Sequence, residues 1–133
     1  MSALLADTSF FVAYLNPRDE YHALAFEWMT ASAEPIVTSE WVLAELANYF
    51  AESPNRRVLG SLIRALSGEN RVEIVPADHS SFLKAIDLYL RRPDKSWSFT
   101  DCTSFCLMKA RKINDALTTD HHFEQAGFTV LLK

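Results

Sequence analysis

Short apolar runs alternate along the chain with longer segments in which apolar residues recur every three or four positions. The short runs predict buried β-strands, and the longer periodicity predicts amphipathic helices. The predicted strands cover residues 3–6, 35–38, 71–75, 116–119 and 128–132. The predicted helices cover residues 8–15, 21–28, 39–52, 54–67, 79–90, 100–113 and 121–125. Because strands and helices alternate, we expect an α/β fold with a five-stranded parallel sheet and helices on both faces.

Residues that favour helix ends separate these segments. We expect N-caps at Ser39, Ser53, Asp78 and Thr100, and C-terminal ends at Gly68 and Asn114. Residues 91–99 form the longest irregular segment and contain Pro93 and Trp97. The sequence contains no repeat and no linker, so residues 1–133 are expected to form a single domain.

Three aspartates fall at one predicted edge of the sheet. Asp7 ends the first strand, Asp101 opens a crossover helix, and Asp120 ends the strand that follows this helix. A crossover helix runs antiparallel to the strands, so its start and the end of the next strand share one rim, where open α/β sheets bind their ligands. Because carboxylates brought together repel one another, we expect a divalent cation there, and hard oxygen ligands favour Mg²⁺ or Mn²⁺.

A fourth acid, Glu45, borders the apolar stripe of the helix that begins after Ser39. It lies about 9 Å along the helix axis from that cap, so it reaches the rim only if the helix leans over it. Each acid also has a purely structural interpretation: Asp7 as a cap, Glu45 as a surface residue, Asp101 as a first-turn acid and Asp120 as a turn residue. Since three of the four fall at the same rim, coincidence is the poorer explanation.

The composition limits the classes of protein that need be considered. With 133 residues and 49% hydrophobic content, the chain can bury a substantial core. No apolar run approaches the ~20 residues that span a bilayer, and residues 1–15 lack a basic leader, so we expect a cytoplasmic protein without membrane contacts. The net charge of −4 argues against binding nucleic acid by bulk electrostatics, but not through metal ions and local basic clusters.

Other catalytic chemistries find little support in the sequence. Cys102 and Cys106, with His121 and His122, could form a zinc site, but one Cys-x-x-x-Cys pair is a weak signal and buried cysteines are common. The chain has no Ser-His-Asp order and no glycine-rich phosphate loop. The two histidines just beyond Asp120 could assist a site there or could be ordinary surface residues.

Four motifs carry a resemblance to a known family. They comprise Ala6-Asp7-Thr8-Ser9, Val37-Thr38-Ser39 with Glu45, Phe99-Thr100-Asp101-Cys102-Thr103-Ser104, and Leu117-Thr118-Thr119-Asp120-His121-His122-Phe123. In order and spacing the chain resembles a stand-alone PIN-domain protein of the VapC-like toxin type. The resemblance implies a three-layer sandwich around a five-stranded parallel sheet, and metal-dependent hydrolysis of RNA by the toxin of a toxin–antitoxin pair.

The resemblance also assigns residues and partners. It implies that Asp7, Glu45, Asp101 and Asp120 bind Mg²⁺ or Mn²⁺ and are catalytic, and that Thr8 and Ser104 are their polar neighbours. The expected partners are an RNA substrate, an antitoxin protein and a second copy of the chain in a homodimer. The competing hypothesis is an interaction module of the same fold that has no catalytic activity.

RNA must also be steered toward an acidic protein. Arg91, Arg92 and Lys95 lie in the irregular segment that leads into the rim, and Trp97 in the same segment could stack on an unpaired base. The alternative is that Trp97 packs under the loop. Lys109, Arg111 and Lys112 end the helix that starts at Asp101, so we expect them at the far rim.

Overall fold

The computed structural model describes residues 2–52 and 54–133, so the predicted cap at Ser53 lies outside the described residues. Five strands form one sheet in the order β3-β2-β1-β4-β5, and each neighbouring pair is parallel. The strands are β1 (Leu4–Ala6), β2 (Ile36–Ser39), β3 (Val72–Val75), β4 (Asp115–Leu117) and β5 (Thr129–Val130). The predicted five-stranded parallel sheet is therefore confirmed.

Helices connect these strands and cover the sheet. They are α1 (Thr8–Leu15), α2 (His22–Ala31), α3 (Glu40–Tyr49), α4 (Asn55–Ser67), α5 (His79–Arg91), α6 (Phe99–Arg111) and α7 (His122–Gln125). The predicted caps Ser39 and Asp78 each accept a backbone N–H of the first turn, and Gly68 ends α4 as predicted. None of the helices within the described residues is long and apolar enough to cross a membrane.

The side chains of the central strand alternate between two hydrophobic cores. Leu4 and Ala6 belong to a core that includes buried residues of α1 to α4, whereas Leu5 belongs to a second core with α5, α6 and α7. Adjacent residues of a strand point to opposite faces of its sheet. Helices therefore cover both faces, and the three-layer arrangement is confirmed.

Both ends of α6 differ from the prediction. Ser98 rather than Thr100 is the N-cap: its hydroxyl accepts the N–H of Asp101, and the Asp101 carboxylate accepts the N–H of Ser98. This reciprocal capping box satisfies two N–H groups that would otherwise lack partners, which a cap at Thr100 would not do. At the other end Lys112, with a φ of 56°, terminates the helix, so the prediction of Asn114 was wrong.

The two cysteines do not form a metal site. Cys102 lies in the second core, where burial raises the pKa of its thiol to about 11, and the Cys106 thiol donates to the carbonyl of Lys84. The only cluster of possible metal ligands found among the described residues contains neither cysteine. Their interpretation as packing residues is therefore the better one.

Candidate active site

The predicted rim contains a cleft of about 710 Å³ beside the carboxyl ends of β1 and β4. The order in which the chain adds strands reverses at this point: β2 and β3 lie on one side of β1, and β4 and β5 lie on the other. Such a reversal opens a crevice in a parallel sheet. All four predicted acids line this cleft: Asp7, Glu45, Asp101 and Asp120. Two further acids from the loop between α1 and α2, Asp19 and Glu20, line it as well.

Asp7 is the most deeply placed of these acids, with 5% of its surface exposed. Burial raises the pKa of its carboxyl from 3.8 to about 7, opposed by hydrogen bonds from the backbone of Thr8 and the hydroxyl of Thr118. The charges of Asp101 and Glu45 raise this pKa further. Without a cation, the protein thus disfavours the ionised form of Asp7 near neutral pH.

His122 connects the other two aspartates. Its Nδ1 lies 3.0 Å from Oδ2 of Asp101 and 3.4 Å from Oδ1 of Asp120, and its backbone N–H donates to Asp120. Burial raises the pKa of the Asp101 carboxyl, while hydrogen bonds from Ser98 and His122 lower it. The start of α6 and the end of β4 are thereby held together, as the rim argument predicts.

Glu45 reaches the cleft through a contact between helices. The hydroxyl of Thr8, the first residue of α1, donates to Oε1 of Glu45 over 2.6 Å. Helix α3 packs against α1, which brings the half-buried Glu45 over the rim despite its distance from the start of α3. Thr8 is therefore a hydrogen-bonded neighbour of one of the four acids.

Sequence reasoning missed a small hydroxyl network behind the acids. Thr118 donates to Asp7 over 2.9 Å and accepts the backbone N–H of Asp120, so it links two of the four acids. Its hydroxyl also lies 3.0 Å from that of Ser9. The sequence contained a signal for this role, because Thr118 directly follows β4 and precedes Asp120 by two residues. Its contact with Asp7, however, depends on the pairing of β1 with β4.

Two of the predicted site residues, Ser104 and Trp97, do not line the acidic cleft. Ser104 is 1% exposed, does not line the cleft, and its Oγ has no hydrogen-bond partner among the described residues, so its role as a neighbour of the acids stays a prediction. Trp97 is 7% exposed and packs edge-on against Phe105, and its Nε1 donates to Gln125. The prediction that a base stacks on Trp97 is therefore contradicted, because the ring is buried in the second core.

The donor set fits a hard divalent cation. Carboxylate oxygens are the ligands that Mg²⁺ and Mn²⁺ prefer, and a cation would offset the burial of Asp7 and the repulsion between acids. Within residues 2–52 and 54–133, the only three possible ligands whose atoms lie within 4.8 Å of one another are Asp120, His121 and His122. The four acids thus surround an open cleft rather than form a closed cage, which leaves room for water and a substrate.

Comparison with known proteins identifies the family of this chain. The family model described as PIN domain matches residues 4–129. The chain belongs to the PIN-domain family. That match takes in the four acids and most of both cores.

Individual relatives extend the comparison. The PIN-domain chain is 33% identical over 127 residues to the 23S rRNA-specific endonuclease VapC20 of Mycobacterium tuberculosis, covering 94% of this chain and 95% of the relative. The crystal structure of VapC20, named as a sarcin–ricin loop cleaving toxin, superimposes with a TM-score of 0.86 and covers 98% and 99% of the two chains. Residues paired by their positions in the two structures are 24% identical.

More distant structures share the fold alone. VapBC2 from Rickettsia felis, bound to a DNA fragment from its promoter, superimposes with a TM-score of 0.67 at 16% identity, covering 97% of each chain. FitAcB from Neisseria gonorrhoeae gives 0.66 at 21% identity, covering 96% of each. The fold of this PIN domain is therefore shared with VapBC2 and FitAcB.

Proposed function

We propose that this PIN-domain protein is a metal-dependent endoribonuclease that hydrolyses RNA phosphodiester bonds and acts as the toxin of a toxin–antitoxin pair. The observation that supports this most directly is the gathering of Asp7, Glu45, Asp101 and Asp120 around one cleft. The 33% identity to a 23S rRNA-specific endonuclease supports the choice of RNA as substrate. The description of the same relative, VapC20, as a toxin supports an antitoxin partner.

In this proposal the four acids hold Mg²⁺ or Mn²⁺. A bound ion would neutralise charge at the phosphate and lower the pKa of a nearby water, which is the chemistry that phosphodiester hydrolysis needs. Asp7 is fixed by Thr118, and Glu45 by Thr8, so neither carboxylate has to reorganise when substrate arrives. His122 holds Asp101 and Asp120 at a fixed separation. These contacts give the site the rigidity that positional catalysis requires.

The proposal places the protein in the cytoplasm, where cellular RNA is found, and treats residues 1–133 as one domain. The expected homodimer also stays a prediction; α5 exposes Leu83 and Leu90, which a second copy of the chain could cover. The competing hypothesis, an interaction module without activity, is less well supported because all four acids are present in one cleft.

Replacing Asp101 by asparagine tests the proposed activity. We expect wild-type protein with Mg²⁺ or Mn²⁺ to cleave RNA and Asp101→Asn to be slower by at least 100-fold, since the cleft loses a metal-binding charge. Cleavage of a labelled ribosomal RNA fragment on a denaturing gel measures this. Glu124→Gln, an exposed acid on α7 outside the cleft, is the control and should cleave like the wild type. Equal rates for Asp101→Asn and wild type would rule out the proposed site.

Two of the basic residues expected to steer RNA line a cavity next to the acidic cleft. Arg92 and Lys95 line a second cavity that meets the acidic cleft at Ser98, whereas Arg91 turns toward Asp87 in an exposed ion pair. Arg92 is paired with Asp94 and covers the ring of Trp97, with its guanidinium carbon 5.0 Å from the ring centre. We propose that Arg92 and Lys95 guide the RNA backbone into the cleft.

Removing these two charges, in Arg92→Ala with Lys95→Ala, should weaken RNA binding and reduce the slope of log K against log salt by about one to two. Metal affinity should not change, because neither side chain lines the acidic cleft. Fluorescence anisotropy at several salt concentrations measures the slope. The matched control is Lys109→Ala with Lys112→Ala, two exposed charges at the opposite end of α6. If both double variants give the same slope, this segment does not steer RNA.

A further inference from the structure

One exposed aromatic side chain stands on the wall of the acidic cleft and has no role in the site described so far. Tyr49 is the last residue of α3, is 61% exposed and lines the cleft. It follows Glu45 by four residues, so the two side chains share one face of the helix, about 6 Å apart along its axis. Most of the Tyr49 side chain is thus left uncovered by the rest of the chain, beside the carboxylates of the cleft.

The ring of Tyr49 is held in place from behind. Its centre lies 5.1 Å from that of Phe50, with the two ring planes nearly perpendicular at 87°. Phe50 is half-buried and packs against the core that includes α1 to α4. A supported ring loses less conformational entropy on binding a ligand than a free one. Tyr21 also lines the cleft, but it packs against the same core.

The charges around Tyr49 indicate which kind of ligand can bind to its ring. Six carboxylates line the cleft, and its only basic lining residue among those described is His122, so an anionic group can approach only where a cation is bound. A nucleobase is flat and neutral, and it can cover an aromatic ring without meeting the charge of the acids. One helical turn separates Tyr49 from Glu45, a distance that a nucleotide spans between its phosphate and its base.

We propose that Tyr49 is a stacking platform for an unpaired base next to the phosphate that is cleaved. This inference rests on the proposed RNA substrate and extends it: the cleft accepts a single-stranded or looped segment, because a base inside a duplex cannot cover the ring. In this proposal the ring of Tyr49 binds the base, and the carboxylates of the cleft would hold the phosphate through a metal ion. Trp97 cannot serve this purpose, because its ring is buried.

Substitution of Tyr49 tests the proposal by RNA affinity and its salt dependence. Tyr49→Ala should weaken binding of a single-stranded ten-nucleotide RNA by about 5- to 100-fold at constant salt, and leave the salt slope unchanged, because stacking releases no counterions. Tyr49→Phe should bind like the wild type, and Tyr49→Leu should resemble Tyr49→Ala. Binding is measured by anisotropy with Ca²⁺ in place of Mg²⁺, and the RNA is checked for intactness. Phe26→Ala, a half-exposed aromatic outside the cleft, is the control.

A series of oligonucleotides, each with one abasic position, identifies the stacked base. In wild type the loss of affinity should peak at one position, and Tyr49→Ala should be insensitive at that position, as expected for two groups in direct contact. Equal affinity of Tyr49→Ala and wild type, or full affinity of Tyr49→Leu, would overturn the stacking role while wild-type cleavage still supports the nuclease. Failure of the wild type to bind or cleave RNA at all would overturn both.

Discussion

Replacing Asp7 by asparagine is expected to abolish RNA cleavage and, at the same time, to stabilise the metal-free protein. Burial raises the pKa of Asp7 from 3.8 to about 7, so holding this carboxylate ionised above pH 7 costs about 4 kcal/mol. Asparagine keeps an oxygen that can accept from Thr118 but carries no charge. We expect the melting temperature at pH 8 to rise by roughly 5–15 °C in chelator-treated protein.

The pH dependence gives this prediction a sign that can be tested. Because the folded pKa of Asp7 lies above the unfolded value, the native state binds the proton more tightly, and that stabilisation is complete below about pH 4. It is lost as pH rises through about 7. The contribution of Asp7 should therefore lower the melting temperature of wild type between pH 4 and 7, and the difference between wild type and Asp7→Asn should grow over this range.

Asp78→Asn is a suitable control for Asp7→Asn. Asp78 is an exposed cap whose pKa is lowered by hydrogen bonds from Ser81, so removing its charge should not stabilise the protein at pH 8. Thermal unfolding of the metal-free proteins, followed by circular dichroism, measures all three. A melting temperature for Asp7→Asn at or below that of the wild type at pH 8 would show that the buried charge of Asp7 does not destabilise the metal-free protein.

Addition of a divalent cation is expected to produce the second large effect. An ion that binds only the native state stabilises it by about 2.7 kcal/mol at 100 times its dissociation constant, so Mg²⁺ or Mn²⁺ should raise the melting temperature by roughly 5–15 °C. The same ion should increase RNA affinity at least tenfold over chelator, because the six carboxylates of the cleft otherwise repel phosphate.

The metal effect has two internal controls. Raising NaCl to the same ionic strength should not reproduce the increase in RNA affinity, since monovalent salt screens the attraction of the basic segment as well as the repulsion by the carboxylates. Asp7→Asn should show a much smaller metal-induced rise in melting temperature than the wild type, because one of the proposed ligands is lost. Unchanged melting and unchanged RNA affinity with millimolar Mg²⁺ and Mn²⁺ would contradict a metal site at this rim.

Glu45 and Trp97 show where reasoning from sequence reaches its limit. Both lie in regions whose secondary structure was predicted well, yet the sequence could not say where either side chain points. Glu45 lies in the cleft because α3 packs against α1, where Thr8 donates a hydrogen bond to it. Trp97 points inward because its ring packs against Phe105 and its Nε1 donates to Gln125. The two hydrogen bonds, from Thr8 to Glu45 and from Trp97 to Gln125, join residues 37 and 28 positions apart, and no local pattern encodes them.

The helix ends show the same limit on a smaller scale. Thr100 and Ser98 are both good N-cap residues, and the choice between them depends on Asp101, which reaches back to the N–H of Ser98. That carboxylate also meets His122, twenty-one positions later in the chain. The same carboxylate thus caps α6 and belongs to the candidate site. The capping preferences of single residues could not have revealed this double role.

The sequence by itself determined the order of strands and helices, the parallel sheet, and the rim on which Asp7, Asp101 and Asp120 lie. These features follow from periodicity and from the antiparallel return of a crossover helix, both of which are local or topological. The tertiary structure alone decided the reach of Glu45, the bridge formed by His122, the burial of Trp97 and the exposure of Tyr49. Those depend on how neighbouring helices are packed, because a side chain's partners are fixed by the orientation of whole elements rather than by its own neighbours in the chain.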